Sequence, residues 1–101
     1  MLLTDKIRKQ LPKLYSTEYD PDPVVAVKFF SPWSGWTWYG VEFDGHDLFF
    51  GLVDGYDREW GYFSLAELEA VLVFDTPAVE RDLNFEPAPL SQIPELTGIT
   101  K

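Results

Sequence analysis

The chain has 101 residues, 46% of them apolar and 17% aromatic, with no cysteine and a net charge of −9. That length fits one domain, residues 1–101, around a single core, and so rich an aromatic content excludes a disordered acidic segment. The missing cysteine excludes disulfides and thiolate metal sites.

In chain order, Thr4 is placed to cap a short helix through Leu11, with Asp5 at its positive end and Pro12 as its stop. Leu3, Ile7, Leu11 and Leu14 fall at three- and four-residue steps and give that segment one apolar face. Residues 16–23, with two prolines and three acids, read as a loop. The β-branched and aromatic run Val24 to Phe30 predicts a buried strand, and Trp36 to Phe43 predicts the next. Strict alternation would put Trp36, Trp38, Gly40 and Glu42 on one face and Thr37, Tyr39, Val41 and Phe43 on the other. Asp44-Gly45-His46-Asp47 is a tight-turn signal, after which Leu48 to Val53 returns as the partner strand. A polar loop over 54–59 precedes a short strand, Trp60 to Phe63. Ser64 with Glu67 forms a capping-box pattern that opens a helix ending near Leu72 or Phe74. Glu80 to Phe85 reads as an edge strand or extended segment, and Leu90 to Leu96 as one more short helical turn.

This order predicts an α+β domain. Its small antiparallel sheet has four to five strands about a central hairpin, covered by an N-terminal helix and a helix near residues 64–74. The hairpin is apolar on both sides, so either both sheet faces are covered or part of one is kept for a partner.

Residues 1–13 carry a charge of +3 and the remaining residues −12, with twelve of the seventeen acids between Glu42 and Glu86. Such a surface attracts basic partners and repels phosphate backbones and anionic membranes. No apolar run reaches the length of a membrane span, and no secretory leader is recognisable. The expectation is a cytoplasmic protein, monomeric or homodimeric, that contacts neither membrane nor nucleic acid directly.

Specific chemistry is sparse. His46 between Asp44 and Asp47 would suit a metal or an acid–base pair, but Asp, Gly and His are also what a tight turn favours. Asp54, Asp57 and Glu59 lack the ligand alternation of a calcium loop. No nucleophile motif or phosphate-cradling glycine loop occurs. No catalytic residue, cofactor or metal is therefore expected. The residues expected to meet a partner are Trp33, in the connector Ser31 to Gly35, and the turn or helix-surface acids Asp54, Asp57, Glu59, Glu69 and Asp75.

Several blocks together resemble one family: Lys13-Leu14-Tyr15-Ser16-Thr17, Val27-Lys28-Phe29-Phe30, Trp36-Thr37-Trp38-Tyr39, Asp47-Leu48-Phe49-Phe50-Gly51-Leu52-Val53, Gly61-Tyr62-Phe63-Ser64-Leu65 and Glu80-Arg81-Asp82-Leu83. The chain is similar, over nearly its whole length, to the bacterial set known as domain of unknown function 2958. That family is frequent on plasmids, phages and integrated elements, often near antirestriction-type genes. The resemblance thus implies an accessory role in a mobile element and carries over no catalytic residue. The leading expectation is a non-enzymatic protein that binds a basic partner through its acidic, aromatic-rich surface, in its most concrete form as a DNA mimic that inhibits a host defence nuclease. A small enzyme or ligand-binding domain with a pocket between sheet and helices is the second reading, and a structural homodimer subunit the third.

Overall fold

The computed structural model describes residues 2–101. Helix α1 (Asp5–Gln10) leads into β1 (Val24–Val25) and β2 (Val27–Phe30). Strands β3 (Thr37–Phe43), β4 (Leu48–Asp54) and β5 (Arg58–Ser64) then form a meander, followed by α2 (Leu65–Ala70). A miniature hairpin, β6 (Leu72–Val73) and β7 (Thr76–Pro77), precedes β8 (Glu80–Arg81), β9 (Ala88–Pro89) and the 3-10 turns Leu90–Gln92 and Pro94–Leu96. The main sheet is antiparallel, in the order β5-β4-β3-β2-β8. This is the α+β architecture that the alternation of patterns predicts.

Both helices begin where their caps stand. The Thr4 side chain accepts from the Ile7 N–H and the Ser64 side chain from the Glu67 N–H, each at 3.2 Å. Helix α2 stops earlier than its apolar spacing suggests, at Ala70, because β-branched Val71 and Val73 continue in extended backbone. The run Val24 to Phe30 also divides. Its first two residues pair with β9 and its last four with β3.

Both faces of the sheet are covered. On one, Val27, Phe29, Phe43, Phe49 and Phe63 meet Leu3, Leu65, Leu68 and Val79. Phe49 is the hub of this layer, with the rings of Phe43, Phe63 and Phe29 at 4.4, 5.0 and 5.6 Å. On the other, Tyr39, Val41 and Leu52 meet Val25, Leu90, Ile93 and Leu96. Residues 85–99, with their two 3-10 turns, thus supply the second cover, which neither α1 nor α2 provides. Lys28 fastens it: its ammonium meets Glu95 at 2.6 Å and Asp82 at 3.6 Å, and the Tyr39 hydroxyl donates to Glu95 at 3.3 Å.

The simple alternation along β3 fails after Gly40. The register against β4 shifts between Gly40 and Glu42, leaving Val41 as an extra residue in a β-bulge. Phe43 therefore joins Trp38 on the first face instead of sharing a face with Tyr39, and Glu42 stands opposite Phe50. Gly51 permits the kink, since a Cβ there would lie 1.8 Å from the Tyr39 carbonyl oxygen.

Candidate functional site: the acidic, ring-bearing end of the sheet

The connector between β2 and β3 is knotted by Ser31, which is buried. Its N–H donates to the Trp36 carbonyl and its own carbonyl accepts from Gly35 N–H, both at 2.9 Å. Gly35 at φ +78° closes this loop, and Trp33 projects from it, 59% exposed. Trp36 leans on Trp38 at 6.1 Å and receives the edge of Tyr56 at 5.4 Å. Gly55 is needed beneath it, where a Cβ would come 2.6 Å from the indole. Tyr56, at the tip of the β4–β5 turn, is 94% exposed.

The β6–β7 hairpin completes the end. Its two turn residues, Phe74 (φ +51°) and Asp75 (φ +62°), are both left-handed, the requirement of the tightest hairpin turns. Aspartate tolerates this backbone, whereas phenylalanine adopts it at a cost of about 1–2 kcal/mol. Phe74 is nevertheless 88% exposed, with its ring edge-on to Trp33 at 6.0 Å. An unfavourable backbone thus holds an apolar ring in water beside a second one.

Asp57, Glu59 and Asp75 are exposed around these rings. Asp54 pairs with Arg58 at 3.3 Å, so its charge is partly answered. Glu69 stands apart: it accepts the Leu2 N–H at 3.0 Å and borders a groove with Pro77, Val79 and Arg81. Trp33, Asp54, Asp57, Glu59 and Asp75 are brought to one end of the sheet, and Glu69 is not among them. Helical spacing that continues past Ala70 to Leu72 masks Phe74 as a turn residue. The signal was available in Val71-Leu72-Val73, β-rich residues followed by an Asp suited to a turn.

The Asp44-Gly45-His46-Asp47 turn is structural in its bonding. One Asp44 carboxylate oxygen accepts the N–H groups of His46 and Asp47, each at 2.8 Å, and of Leu48 at 3.0 Å. The bonds from Asp47 and His46 hold the Asp44 carboxyl below the usual aspartate range. Asp47 accepts from the Ser64 hydroxyl at 2.5 Å and the Ala66 N–H at 2.7 Å, so the turn also caps α2. Arg8 reaches it from α1, donating to the Gly45 carbonyl at 2.9 Å. Among the described residues no group of three acid, histidine or cysteine side chains is placed to hold a metal ion, and no helix is long and apolar enough to cross a membrane.

These features define a small α+β domain whose antiparallel sheet is covered on both faces and ends in exposed rings and carboxylates. The chain belongs to the family described as Protein of unknown function (DUF2958), which matches it over residues 2–97. No curated protein and no solved structure matches it.

Proposed function

We propose that this protein is a non-enzymatic accessory factor of a mobile element that binds a basic protein through the end formed by Trp33, Tyr56, Phe74, Asp57, Glu59 and Asp75. The observation that carries the reading is the exposed Trp33–Phe74 pair, maintained despite the left-handed backbone at Phe74. Exposed aromatic rings are the residues that anchor interfaces, and carboxylates around them steer a basic partner inward. The charge of −12 over residues 14–101 extends that field across the domain. In the most concrete form, the partner is a host defence nuclease whose basic cleft accepts the acids in place of DNA phosphates.

Immobilised protein would capture the partner, and binding kinetics would then be measured for folded variants. Asp57→Asn, Glu59→Gln and Asp75→Asn combined should slow association about tenfold at low salt. Trp33→Ala and Phe74→Ala should instead speed dissociation. Duplex DNA should compete for the partner, and high salt should weaken the complex. Unchanged kinetics in both variant sets would remove the assigned surface, and a complex indifferent to DNA would remove the mimicry.

A further inference from the structure

On the opposite face of the sheet, the bulge at Val41 turns Glu42 beneath the loop that precedes β1, where it is 2% exposed. The N–H groups of Tyr15 (2.7 Å) and Thr17 (2.9 Å) and the Thr17 hydroxyl donate to its carboxylate. To reach it, Tyr15 takes φ +71°, a left-handed backbone that a tyrosine adopts only against strain. Every one of these donors is neutral. The ion pairs among the described residues join Lys28 to Asp82 and Glu95, and Arg58 to Asp54, so Glu42 has none.

Glu42 forms part of a cavity of about 290 Å³ bordered by Tyr15, Glu18, Phe50, Tyr62 and Lys101. Phe50 is its wall, with Trp60 stacked on it at 5.9 Å and Tyr62 edge-on at 5.2 Å. Lys101 fills part of the space. Its ammonium lies 5.5 Å from the Phe50 centroid and donates to the Thr17 carbonyl and, at 3.2 Å, to the Thr17 hydroxyl. That hydroxyl passes its own proton toward Glu42, so the buried carboxylate polarises the group that receives the ammonium. Rings with a carboxylate behind them are what a desolvated cation requires. The Tyr62 phenol is raised above its ordinary value first by Tyr15 and then by burial, with the carboxylates of Glu42 and Glu18 adding to the shift.

We propose that this cavity recognises the ammonium of a lysine side chain presented by a partner protein, and that Lys101 is its internal competitor. Lysine suits it better than arginine. The acceptors are two oxygens of one threonine, which match a compact ammonium, whereas a guanidinium seeks a free bidentate carboxylate, and Glu42 is already occupied. The competitor is held from behind: the Trp60 indole N–H donates to the Thr100 carbonyl at 3.0 Å, and Ile99 packs on the core. This inference is independent of the acidic end.

The probe is the peptide acetyl-Gly-Lys-Gly-amide, titrated into the full chain while NMR follows the Phe50 and Tyr62 rings and the Trp60 indole N–H. Lys101→Gln should bind it about fivefold or more tightly than wild type, because the competitor is gone. In the Lys101→Gln background, Glu42→Gln should weaken binding about tenfold. Tyr62→Ala, at a half-exposed position, should weaken it similarly and decides the matter if the Glu42 variant does not fold. The norleucine peptide should not bind. Failure of Lys101→Gln to bind, equal binding of the norleucine peptide, or unaltered affinity in Tyr62→Ala would overturn the proposal. Tighter binding of free 1,5-diaminopentane than of the peptide would overturn the assignment to a partner's lysine.

Discussion

Gly51 faces Gly40 across the β3–β4 ladder, and its missing side chain is what lets the Tyr39 carbonyl approach at the bulge. A methyl group there meets rigid backbone rather than a yielding side chain, so the strand must move. Gly51→Ala should therefore cost about 3 kcal/mol or more, read as a lowered urea midpoint. A shift under about half a kcal/mol would mean that β3 carries no bulge in solution. The same register shift decides Glu42. Strict alternation would turn its carboxylate toward the face of Trp38 and the Phe49 layer, and one extra residue moves it beneath Tyr15 and Thr17 instead.

At the scale of elements, the segment over residues 85–99 acts as a core layer although it contains only two 3-10 turns and no α-helix. Leu90, Ile93 and Leu96 are buried against Tyr39, Val41 and Leu52. The segment is held in place by Asp22, whose carboxylate accepts the Ser91 N–H at 2.8 Å and hydroxyl at 2.7 Å. Leu96→Ala should destabilise by about 2–5 kcal/mol, as core truncations do. Leu83→Ala, at a residue 79% exposed, should change little. Equal and small effects in urea titrations would show that the tail does not dock. The three-residue steps of Leu90, Ile93 and Leu96 made the short helical turns legible, but not which sheet face they cover, since that pairing joins residues some forty to sixty positions apart. The cap at Ser64 was legible because capping is a local bond between residues three apart. The end of α2 was not, since Leu68 and Leu72 keep helical spacing while their surroundings favour a hairpin.

For the molecule as a whole, acid stability is governed by carboxyls tied into the fold. Asp44 is lowered by backbone N–H groups, Asp22 by the Ser91 hydroxyl and N–H, and Glu95 by its hydrogen bond to Lys28. A carboxyl lowered by folding stabilises the native state above its unfolded pKa, about 4. That contribution is lost as pH falls through the lower folded value. Asp44→Asn keeps an acceptor but cannot titrate. The stability difference between wild type and Asp44→Asn should be constant at neutral pH and shrink from about pH 5 downward. A difference that stays the same in acid would show that the charge of Asp44 contributes nothing to folding.

The sequence by itself determined the α+β class, the central hairpin, both helix starts and the concentration of acids in residues 42–86, because each rests on local periodicity, capping or composition. It also located Trp33 in an exposed connector and the turn around His46. Tertiary structure alone decided which side of β3 bears Glu42, since a bulge is set by how two strands approach and leaves no periodic trace. It alone joined Phe74 to Trp33 and Lys101 to Phe50, pairs separated by dozens of residues. Such meetings depend on chain reversal and packing, which pattern reading does not reach.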